Sequence, residues 1–238
     1  MDLYKYIKAH NTLNPKIWKD FKLKEEVREK INDIVQIFTD NMKSDNIDIN
    51  ISDIWILGSN ASYNYNDNSD LDVHIMVDTA SSTIDSKVLS KIYMSYRNLF
   101  KNIYSPKIKG IPVEVYVEDI NTSQNASEGI YSLKEGWKKK PHKEDIEINS
   151  KEINAKYDYY IDEFNSLIEK ISHEDIDYQI EQINNLLSNI YTFRQEDLYL
   201  KGEFSVGNLV FKELRSKGYI EILRNLKIKL ENIKMTLK

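Results

Sequence analysis

Two aspartates one residue apart, Asp70 and Asp72, open an alternating run in which Leu71, Val73 and Ile75 fall on the opposite side. Strand side chains have a period of two, so both carboxylates face the same way at the mouth of a strand. Like charges held this close repel unless a cation sits between them. A hard divalent ion on oxygen ligands, normally magnesium, is the simplest such cation. Upstream, the apolar run from Ile54 to Leu57 ends abruptly at Gly58-Ser59. Gly58 lets the backbone turn tightly and approach a bulky anion without a Cβ in the way, and Ser59 adds a hydroxyl and an N–H. A third acid, Glu114, stands among Val113, Val115 and Val117. An unpaired buried carboxylate is costly, so Glu114 needs a partner. If its strand lies beside that of the aspartates, the three acids form a triad. Phosphate held at the glycine turn and metal held by acids make up the front half of a nucleotidyl-transfer site. Two magnesium ions ~4 Å apart can clamp the attacking hydroxyl and the leaving pyrophosphate.

The elements that must position these groups are read from periodicity. Asp53 to Leu57 reads as a first strand, Asp70 to Val77 as a second and Ile111 to Glu118 as a third. A helix from Lys24 to about Asp40 shows Val27, Ile31, Ile34, Val35 and Phe38 at helical spacing. The polar stretch from Asn41 to Asn50 reads as a loop. Between the second and third strands, after a Ser81-Ser82-Thr83 turn, a helix from Ile84 to Tyr104 carries the stripe Val88, Ile92, Tyr96 and Leu99 or Phe100. At the N-terminus, Leu3 to Ala9 is a short amphipathic piece. Asn14-Pro15 then starts a helix, or else Trp18 and Phe21 pack a separate turn. Ser123 to Pro141 reads as a hairpin or lid arm. Its Tyr131, Trp137 and lysines suit base stacking beside phosphate, or more simply an aromatic anchor and a solvated basic turn.

Beyond Ile146 the pattern is helical throughout. Ile153 to Ile168 forms one helix, ending before Ser172, which reads as a cap. Tyr178 to Tyr199 forms a second, a third is capped by Ser205 and stopped by Gly218, and Ile220 to Leu237 forms a fourth. The domain reading is therefore a catalytic unit over 1–145 and a helical unit over 146–238 that assists acceptor binding. The fold class is α+β.

Further contacts are nominated around the core set. Asn60 and Tyr63, in the loop after Gly58-Ser59, and Lys138 are candidate nucleotide contacts, with Tyr63 and Tyr65 each even between base contact and loop packing. Lys134, Arg194 and Lys201 are other nominees for the triphosphate. His74, on the aspartate face, donates to a carboxylate or lines the floor. Arg194, Glu196 and Asp197 together read more simply as a capping and ion-pair cluster.

Composition narrows the classes. The 238 residues carry 33 Lys and Arg against 38 Asp and Glu, a net charge of -5, which argues against a strongly basic, sequence-indifferent nucleic-acid binder. A local basic groove or a substrate brought as its magnesium complex fits that charge. With no cysteine, disulfides and thiolate metal sites are excluded. No apolar run approaches the ~20 residues of a membrane span, and the polar start does not read as a signal peptide. The expectation is a protein of the cytoplasm with no membrane partner.

Gly58-Ser59, Asp70-Leu71-Asp72 and Glu114 together resemble the signature of the nucleotidyltransferase superfamily related to DNA polymerase beta. That superfamily includes poly(A) polymerases, CCA-adding enzymes, antibiotic nucleotidyltransferases and minimal toxin–antitoxin nucleotidyltransferases. The resemblance covers roughly residues 50–120. It implies a small mixed sheet with flanking helices and magnesium-dependent transfer of NMP from an NTP. By it Asp70 and Asp72 are paired metal ligands, Glu114 is the third carboxylate where many members have Asp, and Gly58 with Ser59 holds phosphate. The stretch from Leu13-Asn14-Pro15 and Trp18 through Gly58 to Tyr65, with Glu128 to Ser132, Gly136-Trp137 and Pro141, is similar to nucleotidyltransferases of large tailed bacteriophages. That likeness implies a host-cytoplasm setting and brings no known substrate.

The expected function is a magnesium-dependent nucleotidyltransferase using an NTP, ATP among the candidates. The acceptor is an RNA 3′ end such as tRNA, a small molecule or a protein hydroxyl. The competing class is a non-catalytic nucleotide-binding or antitoxin-like module with a protein partner. A magnesium phosphohydrolase is third, and lacks a separate histidine cluster to serve it.

Overall fold

The computed structural model describes residues 10–67, 69–80, 82, 84–121, 129–143, 148–171 and 175–236. The expected piece Leu3 to Ala9, the Ser172 cap, Ser81 and Thr83 of the turn, and residues 123–128 of the lid arm lie outside them. The protein is a mixed α+β chain whose described residues fall into two compact units, one within 8–144 and the other within 145–238.

The first unit opens with a tight hairpin, β1 (Trp18–Lys19) and β2 (Lys22–Leu23), followed by α1 (Glu25–Ser44). The hairpin is the separate-turn alternative for Trp18 and Phe21. Helix α1 runs past Asp40 because Met42 supplies a further fully buried contact on the Val27–Phe38 stripe. Asn41, Lys43 and Ser44, which read as loop, are its polar flank and last turn. Strand β3 (Ile51–Leu57), β4 (Leu71–Val77), α2 (Ser86–Ile103), β5 (Lys107–Ile108), β6 (Ile111–Asp119), β7 (Ile130–Ser132) and β8 (Gly136–Lys139) complete the unit. One six-stranded sheet results, in the order β5-β6-β4-β3-β7-β8. Strands β4 and β6 pair in parallel and the other neighbours are antiparallel.

Alternation divides this sheet into two chemically different faces. Leu71, Val73 and Ile75, with Val113, Val115 and Val117, join Ile56 and residues of α1 and α2 in one apolar cluster. Asp72 and His74 of β4, with Glu114 and Tyr116 of β6, occupy the intervening positions. The register sets Asp72 directly beside Glu114 and His74 beside Tyr116.

Helix α2 packs only partly on the expected stripe: Phe100 is buried and Ile92 and Tyr96 lie against the core. Leu89, Tyr93 and Phe100 are buried, whereas Val88 and Leu99 stay about half exposed, at 47% and 49%. Apolar residues surround much of this helix, so periodicity alone leaves its rotation underdetermined. Packing shifts the buried stripe toward Leu89 and Tyr93, and Arg97 and Lys101 come to the flank beside β6.

In the second unit, α3 (Ser150–Ile171), α4 (Ile176–Lys201), α5 (Val206–Ser216) and α6 (Tyr219–Met235) share a core built on Ile153, Ile183, Leu209, Leu214 and Leu223. Ser205 occupies the N-cap position of α5 without a side-chain cap bond. Asp197 of α4 does that work, accepting the Gly207 N–H at 2.6 Å. Among the described residues no helix is long and apolar enough to cross a membrane.

Candidate active site

Three carboxylates meet at the edge of the polar sheet face. Asp70, Asp72 and Glu114 each offer an oxygen, and these oxygens lie within 4.8 Å of one another. The sheet register alone explains the pairing of Asp72 with Glu114, while Asp70 enters from the residue just before β4.

The loop from Gly58 fixes this entry. Gly58 has φ of 74°, and a Cβ there would overlap the Oδ2 of Asp72. The glycine is needed, but the atom that takes its Cβ space is the neighbouring carboxylate rather than an incoming anion. A turn of 3-10 helix, Ser59–Ala61, comes next. The Ser59 hydroxyl donates to Ser69 Oγ at 2.8 Å, fastening the turn to the segment that carries Asp70.

Asn60 faces inward. It is fully buried, donates from Nδ2 to the Asp70 carbonyl at 2.7 Å and accepts from Asn14 Nδ2 at 2.7 Å. Its own carbonyl accepts the Trp18 indole N–H at 2.6 Å. Its side chain is thereby spent on positioning Asp70. Trp18 in turn packs against Tyr131 and Trp137 at ring distances of 4.9 and 4.8 Å, and Trp137 donates to the Phe21 carbonyl at 2.7 Å. Tyr131 and Trp137 therefore form the aromatic anchor, the simpler of the two expectations for that hairpin.

Glu114 has partners that sequence reasoning missed. Arg97 Nη2 donates to Oε2 at 2.8 Å, Tyr116 Oη donates to the same oxygen at 2.9 Å, and Lys101 donates to Oε1. Arg97 also reaches the Tyr116 hydroxyl at 2.9 Å and lies 4.0 Å from the centre of its ring. Two signals for these residues were present. Arg97 and Lys101 are spaced i,i+4 on one helix face, and Tyr116 comes two residues after Glu114 on a strand.

The two register partners titrate in opposite directions. Burial first, then the charges of Asp70 and Glu114, push Asp72 up to about 8. Burial also pulls Glu114 upward. Hydrogen bonds from Lys101, Arg97 and Tyr116, with the Lys101 charge, outweigh it and hold Glu114 at about 2. Burial, with the charges of Asp72 and Glu114, raises the Tyr116 phenol well above its ordinary range, so it remains a neutral donor.

The remaining nominees have other contacts. His74 stacks on Tyr116 with centroids 4.5 Å apart and places Nδ1 3.1 Å from Glu118 Oε2, a carboxylate further along β6. Tyr63 packs at the edge of the apolar core, with Lys143 Nζ 5.7 Å from its ring centre, and Tyr65 stacks on His10 at 3.8 Å. Lys138 pairs with Glu135 at 3.0 Å and lies 5.3 Å from the Trp55 ring centre, while Lys134 is tied to the Ser52 carbonyl. In the helical unit Arg194 donates to Asn208 at 3.0 Å and Lys201 pairs with Asp197 at 2.9 Å. Among the described residues, the cations that the fold brings onto the triad are Arg97 and Lys101, neither of them a nominee.

An all-carboxylate oxygen set suits magnesium. Burial and the neighbouring charges of Asp70 and Glu114 make an ionised Asp72 costly in the free protein, and a divalent cation on these oxygens would offset that cost. Asp70 and Asp72 fit such an ion directly. Glu114 fits through the lone pairs left beside its three donors. No protein-family model matches this chain, and no curated protein matches its sequence.

Proposed function

We propose that this protein is a magnesium-dependent nucleotidyltransferase that moves an NMP from an NTP to a hydroxyl acceptor. The observation that carries the reading is the convergence within 4.8 Å of three acids, Asp70 just before β4, Asp72 in β4 and Glu114 in β6, beside a glycine turn pressed against one of them. The resemblance of Gly58-Ser59, Asp70-x-Asp72 and Glu114 to the polymerase-beta-related superfamily supports it. Magnesium on Asp70 and Asp72, with Glu114 as third carboxylate, would supply Lewis-acid stabilisation of the triphosphate and a lowered hydroxyl pKa.

The chain's own residues then have distinct tasks. Asn60 and Ser59 hold the segment bearing Asp70, and Gly58 admits the Asp72 carboxylate. Asp72 carries a proton at neutral pH in the free protein and must release it to ligate a metal, so metal affinity rises with pH up to about 8. Glu114, held at about 2, is a poor proton acceptor. Its task is to keep a fixed negative charge and to hold Arg97 and Lys101 beside the phosphates. The overall exchange is acceptor hydroxyl plus NTP to acceptor-bound NMP plus pyrophosphate.

The Arg97–Lys101 pair also motivates a second reading, a non-catalytic nucleotide-binding module in which the acids are internally neutralised. That pair serves Glu114 and leaves Asp72 burdened, which favours the enzyme. The test incubates protein and magnesium with each α-labelled NTP and pools of RNA, protein or small molecules. Label is expected in one pool from one NTP and is lost in the double variant Asp70→Asn, Asp72→Asn. Saturable NTP binding without transfer to any pool would favour the non-catalytic module instead.

A further inference from the structure

The N-terminal hairpin breaks two local rules at once. Its two-residue turn, Asp20-Phe21, joins β1 to β2 with φ of 49° and 61°. Turns with both central residues in the left-handed region favour glycine at the second, and a bulky side chain there is strained. Phe21 nevertheless holds that position and stays 46% exposed, with its ring centre 6.4 Å from that of Trp137. In the register Lys19 stands directly opposite Lys22, a like-charge pair that weakens a hairpin. Trp137 of β8 fastens the turn by its bond to the Phe21 carbonyl, yet neither lysine meets an acid among the described residues.

The same docking gathers a basic surface. Residues 16–24 hold four lysines against one aspartate, and residues 130–143 hold five against one glutamate, in a chain whose net charge is -5. Lys16 and Lys140 are exposed and, like Lys19 and Lys22, have no acidic partner among the described residues. The next acids along the chain, Glu25 and Glu26, pair with Arg28 and Lys109 at 3.7 Å. At the other end of this surface Lys138 lies 5.3 Å from the ring centre of Trp55, which registers with His74 on the Asp72 face of the sheet. Cations around an exposed aromatic ring match a single strand, whose phosphates need positive charge and whose bases need a stacking surface. An acidic protein segment would use the lysines and leave Phe21 idle.

We propose that the hairpin and the adjoining edge of β8 bind single-stranded nucleic acid, with a phosphate between Lys19 and Lys22 and a base stacked on Phe21. The phosphate relieves the like-charge pair, and the base covers the ring that the strained turn holds out to solvent. The proposal stands without the transferase reading. Where that reading holds, it favours a nucleic-acid acceptor over a small molecule.

The test measures fluorescence anisotropy of a labelled oligouridylate and of its DNA counterpart, without magnesium or NTP so that the carboxylate site is silent. Saturable binding is expected, weakening with salt at a log–log slope of about -3, as for roughly four phosphates of a single strand. The tighter of the two probes tells RNA from DNA. Lys19→Glu with Lys22→Glu should weaken binding about tenfold or more. The opposed pair stays like-charged in that variant, so the melting temperature should hold. Phe21→Gly relieves the turn, so its melting temperature should hold or rise while binding falls several-fold. Absence of binding at low salt, wild-type affinity in either variant, or competition by polyglutamate as effective as by the unlabelled oligonucleotide would each overturn the proposal. So would a Phe21→Gly protein that loses stability along with binding, because the ring would then serve the fold. Transfer of NMP to a small molecule with no strand bound would sink this proposal alone. Strand binding without any magnesium-dependent NTP binding would sink the transferase reading and leave the proposal standing.

Discussion

The carboxylate cluster has two sides built on opposite principles. On the Gly58 side, Asp72 is pressed against a glycine turn and pushed up to about 8, so it keeps its proton at neutral pH. On the α2 side, Glu114 is wrapped by Arg97, Lys101 and Tyr116 and held at about 2, so its charge stabilises the fold. These residues are direct neighbours in the sheet register, so backbone position does not account for the difference. The side chains each strand meets decide it. The Gly58 side leaves its acid protonated at neutral pH, whereas the α2 side keeps its acid ionised and paired.

Substitutions should therefore separate activity from stability differently on the two sides. The largest effect is expected from Asp72→Asn, which should lower nucleotidyl transfer roughly a thousandfold, several kcal/mol of transition-state stabilisation. The same variant should be more stable than the wild type at pH 7 by about 2 kcal/mol or more, read by denaturant unfolding. Activity lost together with stability would break the comparison. Gly58→Ala comes next: its Cβ overlaps Asp72 and its φ of 74° disfavours alanine, at a cost of about 1–3 kcal/mol.

The pH profile sharpens the contrast. Between pH 4 and about 8 the folded Asp72 keeps a proton that the unfolded chain has released, so its contribution to stability falls as pH rises through that window. Glu114 acts at the acid end. Its contribution is present above about 4.5 and is lost as pH falls toward about 2. Arg97→Met should narrow that acid window by raising Glu114, and should cost about 1–2 kcal/mol at neutral pH, seen as a lower urea midpoint. The smallest effect belongs to Lys101→Met. Its side chain is 63% exposed, which leaves its pair worth about 0–1 kcal/mol, detectable as a shift that shrinks with added salt.

Legibility in the sequence depended on how local each determinant is. Asp70, Asp72 and Glu114 were readable because alternation within a strand is local, and Gly58 because a strand that stops at glycine is a local sign. The partners of Glu114 were not, because they depend on the rotation of α2. Ile92, Tyr96 and Phe100 of the expected stripe pack, but Leu89 and Tyr93 are buried in place of Val88 and Leu99, and Arg97 is placed by that shift. Asn60 was nominated for a ligand because it lies just after the glycine turn. Its inward role depends on Asn14 and on Trp18 of the N-terminal hairpin, more than forty positions away. The helices after Ile146 were legible from their spacing, while the α5 cap was not, because Asp197 reaches it from another helix.

The most direct measurement of the central claim is the titration of the Asp72 carboxyl by carbon NMR, with and without magnesium and ATP. In the free protein its midpoint should lie near 8. With magnesium and ATP it should fall by several units, to below about 5, since a ligated carboxylate must be ionised. A midpoint near 8 that magnesium and ATP leave in place would contradict the account, because Asp72 would then keep its proton and ligate no metal.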